Sequence, residues 1–225
     1  MQLALGKFTL EHFSRFNRHF KLVEVDLQGY FTWDARGRER FRKWITKKEI
    51  KVIPGLSLRT DRGEEEMHEL LLAAREEFGP NLEFLMVSSG RKRFDLSLSS
   101  RSFRALQAVH REAVNRKAAL PLFFEWGEED TLLTTQGALS GFPDCGAVLD
   151  PDLHRNSISK LEIPRHFKLH GWHPDRWMRR YGVDLSKKIV KRVQKVNHAI
   201  LILGHSGRVE EASLFYEHFR KADSD

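Results

Sequence analysis

Eight short apolar segments recur along the chain, and helical patterns stand between most of them. They are residues 2–5, 21–26, 50–58, 82–87, 121–126, 146–150, 165–173 and 199–203. Each is too short for a core helix, and the spacing of roughly 30 residues is that of a strand-helix unit. Strands that alternate with helices pair in parallel. The pattern therefore predicts one parallel sheet.

Amphipathic patterns separate the predicted strands. Residues 36–48 place Phe41, Trp44 and Ile45 at helical spacing, and Met67, Leu70, Leu71, Ala74 and Phe78 do the same further on. A shorter helix is predicted over residues 130–139. Eight such units in 225 residues predict a single domain, residues 1–225, with a closed TIM-like (β/α)8 barrel, parallel strands and outer helices. An open doubly wound sheet is the alternative.

Composition and charge limit which compartments, cysteine chemistry and binding partners fit this sequence. No apolar run approaches the ~20 residues of a membrane span, so we expect a cytoplasmic protein without membrane contact. A single cysteine, Cys145, excludes an internal disulfide and thiolate zinc sites. The net charge of +7 comes largely from residues 36–51 and 176–195, where basic and apolar positions alternate as on a solvated helix. Nucleic-acid binding through residues 91–93, Arg101 and Arg104 is a less favoured alternative.

Polar side chains follow several predicted strands. In barrels of this kind the working residues lie at the carboxyl ends of the strands. Four of the residues there are candidate catalytic residues: Glu24, Glu125, Asp150 and His170. Carboxylates with imidazole suit a divalent metal such as zinc or manganese, and they equally suit metal-free proton transfer. The sequence does not choose between the two.

Residues 204–208, Gly-His-Ser-Gly-Arg, follow the eighth strand and open the last helix. One interpretation is an anion seat in which His205, Ser206 and Arg208 contact a phosphate or similar group. The other is a plain tight turn.

Aromatic residues cluster after strands two, five and seven. These are Tyr30, Phe31, Trp33, Trp126 and Trp172. They either stack on a ligand or pack the loops over the barrel mouth. With Asp26, at the end of strand two, Trp126 and Trp172 are candidate ligand contacts.

The strand-end motifs resemble the YecE-like family, known as Domain of Unknown Function 72. Residues 23–26 (Val-Glu-Val-Asp), 124–125 (Phe-Glu), 149–150 (Leu-Asp) and 168–171 (Lys-Leu-His-Gly) stand in the order of that family's motifs. The resemblance implies a TIM-barrel-like fold that has been grouped with sugar isomerases and has no assigned reaction. It also implies a site built from Glu24, Glu125, Asp150 and His170.

Several family motifs are replaced, so the chain resembles a divergent member. Gly6 leads almost directly into a helix where the family has Gly-Thr-Ser-Gly-Trp, and Trp126-Gly127 stands where Arg-His is expected. We therefore expect a barrel that binds a small polar or phosphate-bearing ligand at its strand ends, with metal-assisted or acid/base hydrolase or isomerase chemistry. A nucleic-acid-binding protein and an inactive scaffold are the alternatives, and the oligomeric state stays open.

Overall fold

The computed structural model describes residues 1–16, 19–58, 62–88, 101–126, 139, 142, 145–154, 158, 163–173, 176–177, 180–205 and 207–222. Eight of its strands pair in parallel and close into a barrel in the order β1-β10-β7-β6-β5-β4-β3-β2. These strands are β1 (Gln2–Leu5), β2 (Leu22–Asp26), β3 (Lys51–Ser57), β4 (Leu85–Ser88), β5 (Leu122–Glu125), β6 (Cys145–Leu149), β7 (Arg165–Leu169) and β10 (Ile200–Leu203). The predicted closed barrel is confirmed, and each predicted segment supplies one of its strands.

Helices cover the outside of the barrel. They are α1 (Leu27–Phe31), α2 (Ala35–Lys48), α3 (Glu64–Phe78), α4 (Arg101–Asn115), α5 (Gly182–Val193) and α6 (Arg208–Ala222), with 3-10 turns at Leu10–Arg15 and Gly79–Asn81. Asp34 begins α2 by accepting a hydrogen bond from Gly37 N at 2.6 Å. The helix predicted over residues 130–139 lies almost entirely outside the described residues. No helix in the described ranges is long and apolar enough to span a membrane.

The seventh barrel strand ends earlier than the sequence pattern predicted. Gly171 has a φ of +78°, a left-handed conformation that favours glycine and ends the extended run. The chain then forms a two-residue antiparallel ladder of β8 (Trp172–His173) with β9 (Arg176–Trp177). His170 is thereby left at the carboxyl end of β7, at the barrel mouth.

The core has two shells because side chains alternate along each strand. One shell lies between barrel and helices, and the other fills the barrel interior with Ala4, Leu22, Ile53, Phe84, Met86, Phe123, Val148, Ile200 and Ile202. Towards the amino-terminal ends of the strands, Phe84 and Phe123 stack on His166, with centroid distances of 4.8 and 4.2 Å. This apolar packing fills the lower interior, so polar inward-facing positions are concentrated at the carboxyl ends.

Candidate functional site

Lys168 lies at the centre of the candidate site. It is the inward-facing residue of β7 two positions after His166, and its side chain is only 5% exposed. Its ammonium nitrogen lies 2.7 Å from Glu24 Oε1 and 3.2 Å from Glu125 Oε1. Burial alone would lower the pKa of Lys168, but Glu125 and Glu24 outweigh it and raise the pKa above its usual value. The ammonium is therefore a fixed positive charge between two carboxylates.

His170 extends this group towards the mouth. Its Nε2 lies 3.0 Å from Glu125 Oε1, and 27% of its side chain is exposed. Burial, and then the Lys168 ammonium, lower the pKa of His170 to about 3. The exposed part of the ring moderates that lowering, but the imidazole is neutral at pH 7 in either case. A neutral ring beside a carboxylate donates its Nε2 proton, which leaves Nδ1 as an acceptor.

Glu24 retains one oxygen without a partner. Oε1 accepts from Lys168, whereas Oε2 is buried and has no hydrogen bond in the described structure. A Cβ on Gly6 would lie 2.9 Å from the backbone atoms Gly204 Cα and Leu203 O and 3.0 Å from Oε2, so only a residue without a side chain fits there. Buried carboxylate oxygens are normally hydrogen-bonded. Oε2 is thus an acceptor that a ligand donor can satisfy.

Asp150 holds the backbone next to the site through hydrogen bonds from main-chain nitrogens. The carboxylate is fully buried and accepts from the backbone nitrogens of Asp152 at 2.9 Å and His170 at 3.2 Å. Burial raises the pKa of Asp150 to about 7, although the two amide bonds act in the opposite direction. Asp150 therefore fixes the main chain that carries the His170 ring.

The predicted anion contacts after β10 lie elsewhere. The His205 ring is buried against Tyr181 and Phe215, and its Nε2 lies 2.8 Å from Glu211 Oε2, outside the barrel. Arg208 donates to His205 O at 3.1 Å and lies 3.0 Å from His12 Nε2, so its guanidinium ties loops together. Ser206 lies outside the described residues. His205 and Arg208, the two of these residues that the structure describes, thus bond to groups of the protein itself.

The remaining predicted ligand contacts also have other positions. Asp26 caps α1 by accepting from Gly29 N at 3.1 Å. Trp126 points outward, because the inward positions of β5 are Phe123 and Glu125, and its ring is 1% exposed in the outer core. Tyr30 is likewise buried, with its hydroxyl donating to Glu77 Oε1 at 2.6 Å. Trp172 lies in β8, and residues 91–93 lie outside the described part of the chain. The described aromatics therefore pack the fold and form no platform at the mouth.

The donor set does not fit a divalent metal. Among the described residues no three His, Cys, Asp or Glu side chains converge as metal ligands would. The position between Glu24 and Glu125 is taken by Lys168 Nζ, and Asp150 is committed to backbone amides. We therefore derive no step through a metal.

Lys168 belongs to the candidate site but is not among the site residues predicted from the sequence. The signal was present, because residues 166, 168 and 170 of one strand face the same side. Once His170 is assigned inward, Lys168 must also be inward.

An apolar cavity of about 250 Å³ lies elsewhere, outside the barrel between α3 and α4, and contains none of the strand-end groups.

Comparisons with known proteins support the fold. Neither a family model nor a curated protein matches the chain. A D-tagatose 3-epimerase-like protein is similar in structure, with a TM-score of 0.64, 12% identity and coverage of 100% of this chain and 98% of that chain. For D-psicose 3-epimerase in the presence of D-fructose, the TM-score is 0.60 and the identity 11%, with coverage of 100% of this chain and 97% of that chain. For the 3-keto-D-glucoside 4-epimerase of E. coli, the TM-score is 0.59 and the identity 12%, and the match covers the whole of both chains. Such identities establish the barrel fold alone.

Proposed function

We propose that this protein binds a small polyhydroxy ligand, such as a sugar, at the carboxyl ends of its strands and transfers a proton on it by isomerase-type chemistry. The observation that carries the proposal is the buried Lys168 ammonium between Glu24 and Glu125, with His170 Nε2 3.0 Å from Glu125 Oε1. Charged groups buried this deeply on three strands are costly to maintain unless they are paired. Clusters of buried and mutually paired charges at the open end of a barrel are typical of functional sites.

The pair of His170 and Glu125 has the arrangement of a general base. Nε2 lies 3.0 Å from Glu125 Oε1, and the tautomer that carries its proton on Nε2 leaves Nδ1 as the acceptor. Nδ1 makes no hydrogen bond to another described residue, and the ring is the most exposed part of the group. Burial and Lys168 make the ring a weak base before a ligand binds. Transfer of a proton from a ligand C–H to Nδ1 therefore depends on the negative charge that forms on the ligand next to it, which together with Glu125 would stabilise the imidazolium.

Lys168 and Glu24 suit the other half of such a reaction. Removal of a proton next to a carbonyl places negative charge on the carbonyl oxygen, and a preorganised cation in a dry site stabilises that charge. Lys168 is such a cation because two carboxylates keep it protonated. Glu24 Oε2 would accept from a neighbouring hydroxyl of the ligand.

The fold agrees with this proposal without selecting it. Several similar barrels are named as epimerases that act on sugars. One fold hosts many reactions, so the argument rests on the site. Membership in the YecE-like family, with Glu24, Glu125, Asp150 and His170 as the shared residues, remains part of the same proposal.

Hydrogen exchange tests the proposed chemistry. The protein is incubated in D2O with a panel of ketoses and aldoses, and NMR follows loss of the C–H signal next to the carbonyl. At least one sugar should exchange with the parent protein. His170→Gln should abolish exchange and leave the melting temperature nearly unchanged, because the ring is partly exposed.

His68→Gln is the matched control, since His68 is exposed on α3. It should exchange like the parent. A panel in which no sugar binds or exchanges would contradict the proposal and favour the scaffold interpretation. Equal exchange by His170→Gln and the parent would remove His170 from the mechanism.

A further inference from the structure

Lys7 follows β1 directly and has an uncommon backbone conformation. Its φ is +51°, in the left-handed region that a residue with a side chain seldom adopts. Such a conformation is strained for a residue with a side chain and is found preferentially at functional sites. The side chain of Lys7 is exposed at the carboxyl end of the barrel. A lysine at this position is therefore unfavourable for folding alone.

Arg208 holds the Lys7 backbone in place. Its Nη2 donates to Lys7 O at 3.4 Å, while Nη1 donates to His205 O at 3.1 Å. The loops after β1 and β10 are thus joined, and the joint lies next to Gly6, whose nitrogen donates to Leu203 O at 2.9 Å. Through these two contacts the Arg208 guanidinium helps to fix the Lys7 backbone.

The Lys7 ammonium is the uncommitted cation near the candidate site. It makes no hydrogen bond or ion pair with a described residue, whereas Lys168 is bound to two carboxylates. It is also close enough to His170 to help lower the pKa of that ring, after burial and Lys168. Lys7 directly follows Gly6, where a Cβ would lie 3.0 Å from Glu24 Oε2, so its exposed side chain begins beside the candidate site at the barrel mouth.

We propose that Lys7 binds an anionic substituent of the ligand, a phosphate ester or a carboxylate, so that the protein acts on negatively charged sugar derivatives. This inference rests on the proposed function. A neutral hydroxyl would not need an ammonium, whereas an anionic group gains a charge-assisted hydrogen bond from it. Because Glu24 and Glu125 together outweigh the single charge of Lys168, an anionic group needs a further cation such as Lys7 to offset their repulsion.

Binding measurements with matched ligands test the inference. Calorimetry compares a neutral sugar, its phosphate ester and the corresponding sugar acid, for the parent and for Lys7→Met. The parent should bind one of the two anionic ligands more tightly than the neutral sugar. Lys7→Met should weaken that binding by about tenfold to hundredfold, the usual effect of one charged hydrogen bond. Binding of the neutral sugar should not change.

Two further variants separate the role of Lys7 from general effects of charge and strain. Lys21→Met removes an exposed lysine just before β2, at the opposite end of the barrel, and should bind all three ligands like the parent. Lys7→Gly should melt at a higher temperature than the parent, because glycine relieves the left-handed strain, and yet lose the anionic ligand. Higher stability with weaker binding is not expected of a residue with no role.

The outcomes are distinguishable. Equal affinity of the parent for neutral and anionic sugars, or anion binding unchanged in Lys7→Met, overturns the role of Lys7 while the proposed function stands. An equal loss in Lys21→Met assigns the effect to net charge and also overturns it. Absence of binding by every ligand refutes the proposed function and this inference together.

Discussion

Lys168 Nζ lies 2.7 Å from Glu24 Oε1, although 144 residues separate the two in the sequence. The contact joins β7 to β2 across the barrel interior, and both side chains are almost fully enclosed. In such surroundings neither charge is tolerable without the other. Each charge of the pair thus stabilises the other in the folded state, and the pair is also the centre of the candidate site.

A double-mutant cycle on this pair should show strong coupling. Lys168→Met leaves two buried carboxylates without their cation, and we expect it to cost about 3–5 kcal/mol of unfolding free energy. Glu24→Gln combined with Lys168→Met should cost less than the sum of the single changes, by about 1.5–3 kcal/mol. Urea denaturation at pH 7 measures each variant.

The exposed pair Lys43–Glu39 on α2 is the control. Its distance of 2.6 Å is nearly the same, but its side chains are 76% and 55% exposed. Its cycle should show far weaker coupling, because water screens exposed charges. Similar coupling in the two cycles would contradict the role that burial has here.

Metal analysis distinguishes the two chemistries that the sequence left open. Because Lys168 occupies the position between Glu24 and Glu125, we expect no stoichiometric zinc or manganese in untagged protein purified without chelator. Dialysis against a chelator should leave hydrogen exchange of the ligand unchanged. Near-stoichiometric metal in the parent that is lost in His170→Ala would contradict this and establish a metal site.

Periodicity predicted the barrel well because most of its strands are largely apolar and all of them are regularly spaced. The same periodicity, carried two residues back from His170, indicates that Lys168 faces inward. What the sequence could not supply is the partner of each group. Glu24 and Lys168 meet only because β2 and β7 lie around one closed barrel.

Two of the predicted ligand contacts have other contacts in the structure for a related reason. Trp126 follows Glu125 directly, but adjacent residues of a strand point to opposite faces, so its ring enters the outer core. Arg208 follows a glycine-containing turn that suits an anion, yet its guanidinium bonds to backbone carbonyls. Side-chain direction at strand ends and in loops depends on tertiary contacts that a local pattern does not encode.

His166 should make the protein less stable in mild acid. Burial lowers the pKa of His166 to about 4, below the value of about 6.5 in an unfolded chain. Above pH 6.5 both states carry a neutral ring. As the pH falls from 6.5 to 4, the unfolded state gains the proton first, so up to about 2–3 kcal/mol of stability is lost.

His166→Phe should remove this acid-dependent loss. The variant gives up the acceptor that Ile200 N uses at 3.3 Å, so it should be slightly less stable than the parent at pH 7. Its unfolding free energy should then change less between pH 6.5 and 4. The same substitution at exposed His68 should leave the profile of the parent unchanged. A profile equally steep in His166→Phe would assign the acid sensitivity to other groups.

Two inward-facing glycines of the barrel should respond oppositely to alanine. A Cβ on Gly146 would lie 2.5 Å from Pro164 O and would meet the Phe123 ring, whereas the nearest atom to a Cβ on Gly55 is Val25 O at 3.6 Å. The Pro164 carbonyl is backbone and cannot move aside. We therefore expect Gly146→Ala to cost about 1–3 kcal/mol or more in urea denaturation, and Gly55→Ala to be neutral or slightly stabilising. Equal effects would mean that the lower interior is packed less tightly than the stacking of Phe84, Phe123 and His166 requires. Gly146 is thus needed because the aromatic packing that fills the lower interior leaves no space for another carbon.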